Sequence, residues 1–411
     1  MLADFDLEWA QIENGQAGVV SELARKKKAD RDLLRLCSAY SEVAATLLSF
    51  RQNARKRLEW LNASLAAARK MKARRAEATH LGNLGIVYED LGHYDKSIEH
   101  LQSAVAISRE LNDVISEGVH LGQLGLSYIG IADYERAIEC LIQALGISRE
   151  HKERAEEGSN LGNLGLAYGY TGLYDQAKEC HLRALEISRE QGDKRGQIMS
   201  TGNIGLIHYW RGYYDKAEAC FMKAVALSRK IKYKYGESLY TGNLGAVYSA
   251  TERHKEALEQ HARSLELARE IGDASGEGTN LSNIGQIYAE VGNYEQALDI
   301  YEKSLEIAQK TGDRRGESSR LGHIGSAYVM LGLYDKAASY LERALMISKK
   351  LGNLDSQIEQ LNNLGVLYLR TDRRDEALRC FQQALALSRK SGDQWGEATS
   401  LGNIGLTHQK Q

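Results

Sequence analysis

The chain has 411 residues, 53 basic and 55 acidic, for a formal net charge of −2. Hydrophobic residues make up 43%, too many for a disordered chain, and no run approaches the ~18 apolar residues of a membrane span. This length usually means two or three globular domains, but 39 glycines without one proline argue against that default, since turns and linkers normally carry prolines. No basic segment followed by an apolar core opens the chain at Met1, so no secretory signal is read and a cytoplasmic location is expected, with no membrane partner.

Residues 1–80 carry 15 basic and 10 acidic side chains, which leaves the remainder net acidic. The run Arg25–Lys28, flanked by Glu22 and Asp30, reads as a solvated helix face, and the rest of the chain has no broad basic stripe. No nucleic-acid partner is expected. Leu58, Leu61 and Ala66–Ala68 space their apolar groups like the second helix of the units that follow. Residues 1–80 are therefore expected to form a helical N-terminal cap with a degenerate repeat.

From Leu81 a period of 40 governs the chain. Units are marked by Leu81, Leu121, Leu161, Thr201, Thr241, Leu281, Leu321 and Leu361, so eight full units cover 81–400 with no insertion or deletion. A fixed period in this range means a solenoid or a propeller. Glycine recurs in one column from Gly85 to Gly405 and in a second from Gly82 to Gly402; tyrosine recurs from Tyr88 to Tyr368, with His208 and His408 substituting. In the unit from Leu161, the residues Leu161, Leu164, Gly165 and Tyr168 fall on one face of a helix. A turn at Gly172 leads to a second helix with Ala177, His181, Ala184 and Ile187 on one face, closed by Gly192 with Asp193 placed to cap the next helix. No run alternates with period two, which excludes a propeller. Residues 401–411 begin a ninth unit and read as an incomplete repeat or a capping helix, with Leu401, Ile404 and Leu406 left partly bare. Such an end is expected of a chain cut from a longer one, or of end-to-end self-association.

These columns resemble the tetratricopeptide repeat: Leu164–Gly165, Tyr168, Gly172, Tyr174, Ala177 and Ala184 match its pattern, and the match recurs in every unit. The period is 40 instead of ~34 and the closing proline is missing, as longer helices joined by Gly-Asp turns would require. The Leu-Gly-Asn-Leu-Gly run is similar to the form found in partner-of-inscuteable-type adaptors, kinesin light chains and the C-terminal arrays of bacterial STAND NTPases. The resemblance implies an all-α, right-handed superhelical solenoid of helix-turn-helix repeats whose first helices line a concave, peptide-gripping groove.

The first-helix face turned away from the core carries Asn83, Gln123, Asn163, Asn203, Asn243, Asn283, Asn363 and Asn403, with His323 in the remaining place. An amide offers a donor and an acceptor together, which suits the backbone of an extended peptide. In kinesin-light-chain-like arrays asparagines at this position are thought to hold ligand backbone. The competing role is to bond the neighbouring helix and hold the stack together. Beside them lie Ile86, Leu126, Leu166 and Leu206, then Ala246, Gln286, Ser326 and Val366, with Tyr170, Tyr209 and Trp210 as aromatic anchors. Packing between adjacent first helices is the alternative for the leucines.

The Gly85 column reads as the place where the second helix approaches closely. The Gly82 column either leaves room for ligand backbone or admits a neighbouring repeat. Cys140, Cys180, Cys220 and Cys380 recur at multiples of 40, too far apart in a stack to pair, and are expected to be reduced packing residues, with no zinc spacing among them. No GxxxxGK[ST], GxSxG or HExxH motif is present, and the histidines scatter. The reading is a non-enzymatic scaffold without a cofactor, whose partner is a protein or peptide segment. The alternatives are the sensor module of a STAND-type NTPase and a self-assembling scaffold.

Overall fold

A computed structural model describes residues 54–409, and among them every regular element is an α-helix. In chain order these are α1 (Ala54–Met71), α2 (Arg74–Asp90), α3 (Tyr94–Glu110), α4 (Val114–Gly130), α5 (Tyr134–Glu150), α6 (Arg154–Tyr170) and α7 (Tyr174–Glu190). Then come α8 (Lys194–Trp210), α9 (Tyr214–Lys230), α10 (Lys234–Ala250), α11 (His254–Ile271), α12 (Ala274–Glu290) and α13 (Tyr294–Thr311). The last five are α14 (Arg314–Met330), α15 (Tyr334–Lys350), α16 (Leu354–Arg370), α17 (Arg374–Ser391) and α18 (Gln394–Gln409). Even-numbered helices are first helices and odd-numbered ones second helices. The chain forms two compact units that divide between Ser200 and Thr201, within α8.

The turns explain the period. Positive φ recurs every 20 residues from Lys72 to Gly392: glycine holds ten of these positions, and Lys72, Asn112, Ala132, Lys152, Lys232, Glu252 and Asp372 hold the others. Each 40-residue unit is thus two helices of about five turns joined by two- or three-residue links with one left-handed residue. Gly-Asp steps are one form of this link; Asn112–Asp113 and Lys152–Glu153 do the same work without glycine. Where Asp or Asn follows, it caps the next helix. Asp273 Oδ1 accepts from Gly276 N (2.9 Å), Asp313 from Gly316 (2.8 Å) and Asp393 from Gly396 (3.0 Å), while Asp193 accepts from Arg195 N (3.0 Å).

A second device recurs across the same link. Arg69 binds Glu77, and Arg109–Glu117, Arg149–Glu157, Arg229–Glu237, Arg269–Glu277 and Arg389–Glu397 repeat it at 2.6–3.0 Å. Each pair clips the end of a second helix to the start of the following first helix.

Inside a repeat, the Gly85 column does what its spacing predicts. A Cβ on Gly85 would meet Leu101, on Gly125 Leu141, on Gly205 Phe221, on Gly285 Tyr301 and on Gly365 Phe381, each at 2.3–2.8 Å. Large side chains of the second helix press onto bare backbone, with Ala137, Ala177, Ala217, Ala257, Ala297, Ala337 and Ala377 buried beside them. α1 stands 40 residues before α3, in second-helix register, with Leu61 and Leu65 buried against Leu81 and Leu84 of α2. At the other end α18 is a lone first helix, and Leu401 and Leu406 are exposed. The basic run Arg25–Lys28 and Cys37 lie outside the described residues. The other four cysteines are free thiols; burial pushes Cys140 and Cys180 up to about 11, so they are poor nucleophiles. No described helix is long and apolar enough to cross a membrane.

Candidate peptide-binding face

In the first unit α2 touches α4 and α4 touches α6; in the second, α10, α12, α14, α16 and α18 form a like series. Among the described residues no comparable contact joins second helices of successive repeats. Within each unit the first helices therefore make the tighter side of the curve, and their outward residues share one surface.

The Gly82 column has a role on the flank of this surface. A Cβ on Gly82 would strike His120, on Gly122 Asn160, on Gly202 Tyr240, on Gly242 Asn280 and on Gly322 Gln360, from 1.9 to 3.3 Å away. These are first-helix side chains of the next repeat, and all are buried. The glycines are cut to admit the neighbouring repeat, and the space offered to ligand backbone in the sequence reading is already filled. Only Gly162 and Gly402 of this column meet nothing. The same column supplies polar ties: Asn280 Nδ2 donates to Ser264 Oγ (2.9 Å), and His120 Nδ1 pairs with Ser108 Oγ (3.1 Å).

That division of labour leaves the amide column uncommitted. Asn83, Gln123 and Asn163 in the first unit, and Asn243, Asn283 and Asn363 in the second, are half-buried and make no side-chain hydrogen bond to another described residue. Asn203 is 8% exposed. Asn403 follows the competing role, because its Nδ2 donates to Asn362 Oδ1 of the adjacent first helix (3.2 Å).

Leu126, Leu166 and Leu206 are half-buried, so part of each packs between helices and part remains open. Tyr170 is 50% exposed and stacks on Tyr134 at 5.4 Å. Tyr209 is half-buried edge-on to Tyr214 at 5.7 Å, and Trp210 is half-buried at the end of the same helix. Two further exposed apolar residues of a first helix escape the sequence reading. Ile115 and Val119 of α4 are 47% and 41% exposed and lie in line with Gln123 and Leu126 at steps of four, four and three. The spacing was there to be read, but neither column stays large and apolar in the neighbouring units, which have Arg75 and Ala155 in one and Thr79 and Ser159 in the other.

Two carboxylates stand apart on the open face. Burial pushes Glu89 up to about 7, against a hydrogen bond donated by Ser127 Oγ (3.1 Å). Glu359 is pushed to about 7 by burial as well, and lies 3.8 Å from His323 Nε2. His323 Nδ1 pairs with Ser282 Oγ at 3.3 Å, and its ring sits 5.2 Å from that of Tyr301. This Ser–His–Glu chain lacks what acyl transfer needs. Ser282 is buried, and the backbone N–H groups around it lie in mid-helix, already bonded, so none forms an oxyanion hole. Among the described residues no group of three His, Cys, Asp or Glu side chains is placed to hold a metal ion.

The helical-hairpin architecture is shared with solved structures of low sequence identity. A Rap protein complexed with competence and sporulation factor matches with TM-score 0.56 at 16% identity, over 82% of this chain and 98% of that one. The apo quorum sensor NprR from B. thuringiensis gives 0.54 at 15%, over 84% and 99%. A STAND protein with a tetratricopeptide repeat sensor from Pyrococcus horikoshii gives 0.52 at 14%, over 93% of this chain and 53% of that one. No curated protein matches the sequence. Models described as Tetratricopeptide repeat match residues 78–114 and, in consecutive blocks, 116–190, 196–270, 277–350 and 357–411. With its 40-residue hairpins, its glycine and tyrosine columns, and these matches along most of its length, the chain belongs to the tetratricopeptide repeat family.

Proposed function

We propose that the chain is a non-enzymatic scaffold that holds a protein or peptide segment along the first-helix face of its units. The observation that carries this reading is the set of six half-buried amides, Asn83, Gln123, Asn163, Asn243, Asn283 and Asn363, which share one repeat position and make no side-chain hydrogen bond to another described residue. A half-buried amide forgoes part of its hydration without a protein bond in return, and an extended main chain supplies the matching donor and acceptor. Each such bond contributes about 0.5–1.5 kcal/mol, so a few rungs in one unit give useful affinity without reading side chains. Ile115, Val119, Leu126, Leu166 and Tyr170 then supply apolar contacts in the first unit, and Leu206, Tyr209 and Trp210 at the start of the second. The fold shared with a Rap protein solved in complex with a factor, and with a quorum sensor, is consistent with a ligand-holding role.

The test is a peptide array probed with the wild-type chain and with Asn163→Ala, Asn243→Ala and Trp210→Ala. Loss of signal with unchanged helicity is expected. Equal binding by all the variants would remove the assignment. A second reading, the sensor part of a larger signalling ATPase, draws on the alignment of nearly the whole chain with the STAND protein; an NTPase segment encoded in the same gene would favour it.

A further inference from the structure

We infer that Glu359, backed by His323, forms a cation-receiving rung on the second unit's first-helix face, taking the ammonium or guanidinium of a Lys or Arg in a bound peptide. The inference rests on the peptide-binding reading above and names a chemistry for one place in it.

Two columns break their pattern together here. His323 stands where the other units have Asn or Gln, and Glu359 is the charged member of a column otherwise made of Thr79, Val119, Ser159, Met199, Leu239, Thr279, Ser319 and Thr399. The two residues lie on neighbouring helices, α14 and α16, which touch, and their side chains meet at 3.8 Å. Glu359 also precedes Asn363 by one turn, so its carboxylate lies beside an amide rung. Ser282 from α12 and the Tyr301 ring from α13 hold the imidazole from its other side.

The charge on this carboxylate has no counterpart among the described residues. Acids at the starts of the first helices, such as Glu237, Glu277 and Glu397, each pair with an arginine. No Lys or Arg among the described residues forms an ion pair with Glu359, whose contact is the histidine alone. His323 is unable to supply the missing charge: burial, and then the nearby Arg320 guanidinium, hold it down to about 4, so it is neutral at physiological pH. Arg320 itself donates to Ser304 Oγ. Tyr301 is neutral, its hydroxyl pushed up by burial and by Glu290 and Glu359. Glu290 lies near His254 (3.8 Å) and adds further negative charge to this side of the unit. With 45% of its side chain exposed and no cation beside it among the described residues, the carboxylate is reachable by a ligand cation, which would supply a charge-assisted bond.

The experiment uses the full chain and a positional-scanning library of N-acetylated, C-amidated decapeptides with Lys, Arg, Glu or norleucine fixed at each position, at pH 7.5. Wild type is expected to favour Lys or Arg over norleucine at one register by about tenfold, the worth of one charge-assisted contact. Glu359→Gln should erase that preference and leave apolar preferences at other positions intact. Because the side chain is half exposed, the variant should fold, and circular dichroism checks this. Affinity measured in buffers of different ionisation enthalpy should show protons released on binding of a Lys peptide to wild type and none with Glu359→Gln, because the bound cation deprotonates the acid. The inference is overturned if wild type prefers norleucine or Glu throughout, or if Glu359→Gln keeps the Lys/Arg preference. Apolar enrichment alone overturns this inference and spares the groove; no binding by any peptide overturns both.

Discussion

His181 is a histidine at a buried place that leucine, phenylalanine or tyrosine fills in most other repeats. It is fully buried in α7, presses onto the backbone of Gly165, and has no hydrogen-bond partner for either ring nitrogen. Leu101, Leu141 and Leu341 fill the same place over Gly85, Gly125 and Gly325. Burial lowers the pKa of His181 from 6.5 to about 4. A depressed folded-state value means that the unfolded chain takes up the proton first, so stability falls as pH drops below 6.5 and goes on falling until about 4. At pH 5 this amounts to about 2 kcal/mol, and at pH 7.5 to almost nothing. The unpaired nitrogens add a pH-independent cost of ~1–3 kcal/mol.

His181→Leu should therefore stabilise the first unit by about 1–2 kcal/mol at neutral pH and remove about 2 kcal/mol of the loss seen on going to pH 5. The assay is native-state hydrogen exchange of amides in α6 and α7 at pH 7.5 and pH 5, which reads local stability where a repeat array does not unfold in one step. Other buried histidines, His80 and His120, keep their own acid sensitivity in both proteins. The reasoning fails if the variant loses as much protection as wild type between the two pH values. It also fails if the variant is less stable at pH 7.5, which would mean that the imidazole packs better than a leucine.

The left-handed turn residues offer a second check: Lys232→Gly and Glu252→Gly, at φ 56° and 59°, should each stabilise by ~0.5–1 kcal/mol, read as a rise in thermal midpoint. In the Gly82 column, Gly202→Ala would place a Cβ 1.9 Å from the buried Tyr240 ring and should cost ~1–3 kcal/mol. Gly162→Ala meets nothing within 4 Å and should stabilise by ~0.5–1 kcal/mol; urea denaturation separates the two. For the clips, burial alone would raise Glu157, yet hydrogen bonds from Arg149 and Arg154 hold it below the usual carboxylate range. Its contribution is present above pH ~4.5 and is lost as acid titrates it. Glu157→Gln should cost about 1 kcal/mol at pH 7, the arginines being half exposed, with the deficit shrinking below pH 4 in chemical denaturation.

The helices were legible because an unbroken period multiplies weak signals. One Gly-x-x-Tyr pattern says little, whereas repeated columns leave a stacked hairpin as the consistent solution. The left-handed position was hidden, since Lys152, Lys232 and Glu252 occupy it and carry no hint of positive φ. What fills the Gly82 column was hidden too, because the filling groups are His120, Asn160, Tyr240, Asn280 and Gln360, which share a location and no chemistry. The amide column was plain from type and spacing, but the lack of side-chain hydrogen bonds at Asn83, Gln123, Asn163, Asn243, Asn283 and Asn363 among the described residues accompanies a second column that has taken over stacking bonds. Asn403 shows that residue type alone was insufficient: the same side chain in the same register ties itself to Asn362.

A repeated amide has a consequence for selectivity. On the proposed reading, bonds to main chain would be the same for every peptide, so rungs such as Asn163 and Asn243 would raise affinity for all sequences alike and discriminate among none. Choice between ligands must come from positions on the same face where the units differ. In the first unit those would be Val119, Leu126, Leu166 and Tyr170, which on this reading would favour apolar side chains and penalise charge by desolvation. In the second they would include His323 and Glu359, inverting that preference at one step. Substituting an amide rung should thus weaken all bound peptides by a similar factor, whereas substituting one of these variable positions should reorder them. A ranking left unchanged by Val119→Ser and Glu359→Gln alike would place specificity elsewhere.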